Sequence, residues 1–322
     1  MKGVSIMDTR IVFMGTASFS KEVLEMLLAE NYQVVGVVTQ PDRPVGRKRI
    51  LTPSDVKKVA LEHNIPVLQP ERIKKDYQGV IDLKPDLIIT AAYGQIVPNA
   101  VLDAPALGCI NVHASLLPAH RGGAPVQRAI MEGDHKTGVT IMYMAEKMDA
   151  GDIISQAATR ITEEDTLGSL YERLSHMGAQ LLKETLPSII AQTNSRLPQN
   201  PDLVTFSPII KRDDEKIDWN RNAEDVFNKV RALDPAPGCY TSYEGHRIKI
   251  WAGHVHHCEN AMKHHGDQDN GTIVRIFKDA IGVKCNDGIY KITELQVPGK
   301  KRMKVQDYLN GKCMFEEGKK FE

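Results

Sequence analysis

Asn111 and His113 stand two residues apart at the end of the apolar run Ala106-Leu107-Gly108-Cys109-Ile110, and their side chains are the ones here best suited to chemistry. Successive side chains on a strand alternate faces, so the carboxamide and the imidazole share one surface while Val112 enters the opposite layer. At the carboxyl end of a strand in an open parallel sheet, that surface is where ligands bind. A carboxamide donates to a developing oxyanion, and an imidazole moves protons near neutral pH. The turn Met148-Asp149-Ala150-Gly151-Asp152 offers two carboxylates to complete the set, with Gly151 expected to supply a left-handed conformation. Amide, imidazole and carboxylate together suit acyl transfer to an amine, with the carboxylate holding the imidazole tautomer. No covalent nucleophile is required, because an α-amino group with a pKa of about 7.7–8.0 is already partly neutral at pH 7. Spacing alone leaves open whether Asp149 or Asp152 serves.

Other constellations fall away. Ser115 lies in no Gly-x-Ser-x-Gly elbow, which disfavours a serine hydrolase. Cys109 sits in an apolar run without an activating base beside it and reads as an inert core thiol. The cluster His254, His256, His257, Cys258, His264 and His265 matches no helical or finger spacing, so no metal is expected. The five cysteines are odd in number, scattered and without a Cys-x-x-Cys pair, which argues for a reducing cytoplasm. Lys plus Arg and Asp plus Glu both total 41, so a polyanion partner has to be met by a local patch. The short polar start resembles no signal peptide, and no apolar run approaches a membrane span. The expectation is a soluble cytoplasmic protein with no DNA or membrane partner.

Residues of this kind need a rigid frame, and the chain predicts one. Arg10-Ile11-Val12-Phe13-Met14, Val34 to Thr39 and Asp86 to Thr90 read as buried strands separated by helix-like segments, which implies a doubly wound, mostly parallel α/β sheet of Rossmann-like type. The turn after the first strand has one glycine where a dinucleotide fingerprint needs three, so NAD or FAD is not expected. Thr162-Glu163-Glu164-Asp165 fits a capping box, followed by Leu167, Leu170, Leu174, Met177 and Leu181 at helical spacing. The polar, proline-punctuated stretch after residue 191 reads as a linker, giving a catalytic domain over 1–191, a linker over 192–208 and a second domain over 209–322. In that second domain, short strand candidates between Tyr240 and Leu295 follow one helix and predict a small β-barrel of the oligonucleotide-binding (OB) type. Two basic stretches could meet phosphates. Arg43, Arg47, Lys48 and Arg49 lie in a long loop, and Lys300, Lys301 and Arg302 follow the last barrel strand.

From these motifs the sequence closely resembles the folate-dependent formyltransferases. The likeness rests on Asn111 to Pro118, Arg121-Gly122-Gly123-Ala124-Pro125 and Met148 to Asp152. It continues from Ile11-Val12-Phe13-Met14-Gly15-Thr16 through Gln40 to Arg47 and Thr90 to Pro98 into the C-terminal barrel. Over nearly the whole chain it follows the branch that acts on initiator tRNA, departing only in the first residues and the His-rich loop. The resemblance implies formyl transfer from 10-formyltetrahydrofolate to the methionine amino group of initiator methionyl-tRNA by a monomeric enzyme. It places the catalytic roles on Asn111, His113 and Asp149 and folate binding on Ser115, Leu116, Leu117 and Pro118. It implies tRNA contact by both basic stretches, with Arg47 matching an important arginine. Relatives that formylate amino-sugar nucleotides or purine precursors, or that deformylate, share the trio; the basic loop and the C-terminal domain distinguish them. A tRNA-binding module with a dead site is disfavoured because all three catalytic residues are present.

Overall fold

Continuous apolar runs are the mark of strands covered on both faces. In the computed structural model, which describes residues 8–46, 49–256 and 267–322, they form the centre of a seven-stranded sheet. β1 (Ile11–Gly15) is wholly buried and is followed by α1 (Ser18–Ala29), whose Val23, Leu24 and Leu27 face the core. β2 (Val34–Val38) comes next. The basic loop then folds as a short antiparallel hairpin, β3 (Arg43–Val45) and β4 (Ile50–Thr52), rather than as an irregular connection. Gly46 has φ 72°, the left-handed conformation that hairpin turns assign to glycine.

The sheet continues with α2 (Asp55–Glu62), β5 (Val67–Leu68), α3 (Gln78–Asp82), β6 (Leu87–Ala91), α4 (Asn99–Leu102) and β7 (Cys109–His113). After α5 (Pro125–Met131), β8 (Lys136–Tyr143) and β9 (Ile153–Arg160) complete it in the order β5-β2-β1-β6-β7-β8-β9. The strands from β5 to β7 are parallel and the last two join antiparallel. Strand order reverses between β1 and β6, the switch point beside which such sheets bind ligands. α6 (Leu167–Ile190) buries Leu170, Leu174 and Leu181, but its reciprocal cap pairs Thr166 with Ser169, four residues after the predicted box. Asp165 instead reaches back to the Thr162 amide at 2.8 Å.

The chain divides into two compact units. One runs to Pro125 and includes Lys136–Arg160 and Tyr171–Pro208; the other comprises Val126–His135, Ile161–Leu170 and Ile209–Glu322. The second unit holds α7 (Ala223–Ala232), β10 (Cys239–Tyr243), β11 (His246–His256), β12 (Ile273–Ile276), β13 (Ile281–Lys284), β14 (Ile289–Gln296), β15 (Met303–Lys304) and α8 (Val305–Leu309). Its antiparallel sheet runs β10-β11-β14-β13-β12, with β15 added to β14. The last residues bridge its two outer strands: Ile273 donates to the Lys319 carbonyl at 2.8 Å, and Ser242 and Glu322 exchange hydrogen bonds of 3.0 and 2.9 Å. Phe321 drives this closure by packing on Trp219, Tyr243 and Phe315 in the core.

Candidate active site

β7 delivers Asn111 and His113 as the alternation requires, with Val112 buried in the opposite layer. Register pairs Thr90 of β6 with Asn111, and the Thr90 hydroxyl donates to Asn111 Oδ1 at 2.8 Å. That bond orients the carboxamide, and its Nδ2 has no partner among the described residues. His113 Nε2 lies 3.1 Å from the His120 carbonyl oxygen. A carbonyl only accepts, so Nε2 carries hydrogen and Nδ1 is the ring's basic nitrogen. Nδ1 stands 3.8 Å from Asp149 Oδ1, too long for a hydrogen bond, and the two side chains, only 7% and 14% exposed, form an ion pair only when the ring carries a second proton.

The two candidate carboxylates have separate fates. Asp149 Oδ2 accepts the Gly122 amide at 2.8 Å, while Asp152 is 38% exposed and lies 3.5 Å from the Arg196 guanidinium. The left-handed residue is Asp149 itself, at φ 50°, and not Gly151 as expected. Asp tolerates that conformation better than most residues. Gly151 is needed for a different reason: a Cβ there would lie 1.9 Å from the Tyr143 carbonyl oxygen.

The segment after β7 forms a wall of mixed accessibility. Ser115 and Leu117 are buried, whereas Leu116 and Pro118 are half-buried. The Ser115 hydroxyl donates to the Ala119 carbonyl at 2.7 Å, and Gln156 donates to the Leu117 carbonyl at 2.9 Å. Its polar groups therefore hold the loop, leaving apolar surface and backbone for a ligand. Cys109 is an inert core thiol, pushed up to about 12 by burial and then by Asp103. A cavity of about 500 Å³, lined by Thr16, Ala17, Gln40, Arg43 and Tyr93 among others, opens beyond the carboxyl ends of β1, β2 and β6.

The basic stretches differ in how their charges are used. Arg43 is exposed and reaches Gln40 at 3.3 Å, and Arg49 is exposed at φ 48°. Arg47 and Lys48 lie outside the described residues, as does the His-rich stretch from His257 to His265. The hairpin is rooted on Asp42, which accepts Lys57 at 2.7 Å and Gln69 at 2.8 Å; these bonds, the lysine's first, hold its carboxyl below the usual range. Beyond the barrel, Arg302 pairs with Asp234 and, at 2.7 Å, with Glu294, and stacks over Trp251. Lys300 lies 5.5 Å from the Tyr308 ring, and Lys301 is exposed with no partner among the described residues.

Several residues that shape the site carry little or no signal of that role in the sequence. Thr90 was detectable in principle as a hydroxyl at the end of the neighbouring strand. His120, Arg121, Gln199 and Ser207 act from loops. His120 Nδ1 lies 2.7 Å from Ser207 Oγ, Arg121 exchanges backbone bonds with Thr205 and Ser207, and a Cβ on Gly122 would meet the Ser207 carbonyl oxygen at 2.6 Å. The stretch after Gln192 is thus packed against the His120–Gly122 loop of its own unit.

With this geometry, the sequence comparisons are decisive about class. The chain belongs to the formyl transferase family: residues 9–186 match the formyl transferase domain and residues 209–313 the formyl transferase C-terminal domain. It is 49% identical to methionyl-tRNA formyltransferase of Staphylococcus epidermidis (strain ATCC 12228 / FDA PCI 1200) over 94% of this chain and 96% of that protein. It is 53% identical to methionyl-tRNA formyltransferase of Bacillus cereus (strain B4264), over 94% and 95% respectively. Among solved structures, WlaRD, a sugar 3N-formyl transferase crystallised with dTDP and 5-N-formyl-THF, superimposes with a TM-score of 0.66 at 18% identity, over 91% of this chain and 99% of that one. HypX from Aquifex aeolicus in complex with tetrahydrofolic acid gives 0.64 at 19% identity, over 93% of this chain and 46% of that one. The chain thus spans about half the length of HypX, and at these identities both likenesses concern the fold.

Proposed function

We propose that this chain transfers the formyl group of 10-formyltetrahydrofolate to the α-amino group of methionine on initiator methionyl-tRNA, as a cytoplasmic monomer. The observation that supports formyl transfer best is the convergence of Asn111, His113 and Asp149 at the carboxyl edge of the sheet, and the 49–53% identity to methionyl-tRNA formyltransferases over 94% of the chain supports the acceptor. The neutral amine attacks the formyl carbon, forming a C–N bond and turning the carbonyl oxygen into an oxyanion. Asn111 Nδ2, aimed by Thr90, donates to that oxygen. His113 takes the amine proton at Nδ1, where the Asp149 carboxylate stabilises the charge, and passes it to N10 as the C–N10 bond breaks. Leu116 and Pro118 offer apolar surface to the folate, with Ser115 and Leu117 holding the wall in place.

The acceptor side falls to the hairpin. Arg43, Arg47, Lys48 and Arg49 meet phosphates of the tRNA acceptor end, and the cavity beside Arg43 takes the aminoacyl terminus. Lys300, Lys301 and Arg302 extend the contact on the C-terminal unit, Lys301 with an uncompensated charge.

Formylation assays with 10-formyltetrahydrofolate and alternative acceptors test the reading. Methionyl-tRNA is expected to react far faster than free methionine or an amino-sugar nucleotide. Equal rates on methionyl-tRNA and free methionine would remove tRNA as the acceptor.

A further inference from the structure

We propose that Gln199 is a positioning residue that sets the aim of Asp149 at His113. The proposal rests on the reading of Asp149 and His113 as catalytic residues. Gln199 Nε2 donates to the backbone carbonyls of Asp149 and Gly151, both at 2.8 Å. Its Oε1 accepts Nε and Nη2 of Arg121 at 3.0 and 2.8 Å. Only a carboxamide offers two donors and a doubly accepting oxygen on one neutral group, and here every one of these is used.

The two carbonyls held by Gln199 flank Ala150, and Asp149, the residue before it in the turn, sits in a left-handed conformation disfavoured for a side chain with a Cβ. Arg121 is the chain neighbour of Gly122, whose amide holds Asp149 Oδ2. Backbone and carboxylate of Asp149 are therefore tied to one closed circuit that passes through Gln199 and Arg121. Pairing of Leu197 with Ile153, at 2.8 and 2.9 Å, fixes the approach of Gln199 to the turn. Without the circuit the turn is free to relax, and the 3.8 Å separation from His113 changes.

Single-turnover and steady-state formylation by the full-length variants Gln199→Ala, Gln199→Glu, Asp149→Asn and Gln199→Ala/Asp149→Asn, with a thermal melt of each, test this. Gln199→Ala is expected to lower kcat by about 10- to 100-fold, the scale of a small misplacement of a reacting group, while KM for both substrates stays within about twofold. In the Asp149→Asn background the same change is expected to cost nothing further, because the carboxylate it aims is gone. Gln199→Glu keeps the acceptor for Arg121 and loses both donors, so it is expected to match Gln199→Ala and replaces it if that variant does not fold. Wild-type kcat in Gln199→Ala beside a disabled Asp149→Asn overturns the clamp and spares the catalytic reading. An active Asp149→Asn overturns both, and additive losses in the double variant overturn the clamp alone.

Discussion

Asn111 and His113 are carried by a central strand, whereas Asp149 is carried by a turn that depends on groups from distant parts of the chain. On β7 the backbone ladder to β6 and β8 sets both side chains, and one hydroxyl, that of Thr90, refines the carboxamide. In the turn, no ladder fixes Asp149. Its position comes from the Gly122 amide, the Gln199 carboxamide and the close passage of Gly151 against Tyr143. The strand half is rigid because the sheet needs it, and the turn half is only as rigid as its polar contacts. Side-chain substitutions in the first should remove chemistry and leave the fold, while backbone substitutions in the second should disturb both.

The largest effect is expected for His113→Ala, which removes the proton carrier and lowers turnover by about 10²- to 10⁴-fold with little change in thermal midpoint. Near-normal turnover would take the strand half out of the mechanism. Next comes Gly151→Ala. With a Cβ only 1.9 Å from the Tyr143 carbonyl oxygen, the turn has to move, so a loss of about 1–3 kcal/mol in stability is expected together with a fall in kcat. Denaturant melts read the first and single-turnover rates the second; unchanged stability would mean that the turn is looser than its packing indicates.

This contrast also separates what was legible in the sequence from what was not. The strands of the parallel sheet follow from continuous apolar runs, and the α6 leucines and the face shared by Asn111 and His113 from periodicity, because a regular element repeats its geometry every two or 3.6 residues. The short strands after α7 were legible for the same reason, with turn residues between them. The turn was read less well. Its glycine signalled a left-handed residue, but that conformation belongs to Asp149, and the glycine is required instead by the tight approach to Tyr143, which leaves no room for a side chain at 151. Gln199 was invisible, because a glutamine in a polar, proline-punctuated stretch carries no pattern that distinguishes a clamp from a solvated linker. The choice between Asp149 and Asp152 lay beyond spacing for a related reason: two residues of turn, Ala150 and Gly151, separate a carboxylate 14% exposed from one 38% exposed.

The smallest predicted effects concern the basic stretch after the barrel. Arg302 is compensated by Asp234 and Glu294, so Arg302→Ala is expected to cost about 1 kcal/mol of stability, discounted for its exposure, and to change the salt dependence of tRNA affinity little. Lys301→Ala is expected to leave stability alone and reduce the slope of log affinity against log salt by about 1. The reverse pattern would mean that the ion-paired guanidinium is the group facing phosphate.

The division of labour between the two carboxylates is tested most directly by the single-turnover rate of methionyl-tRNA formylation in Asp149→Asn and Asp152→Asn at saturating formyl donor. Asp149→Asn is expected to lose about 10²-fold or more and Asp152→Asn less than about threefold, in keeping with a group acting on His113 and a surface ion pair. Equal losses, or a larger loss at Asp152, would contradict the assignment of Asp149 to the formyl-transfer site.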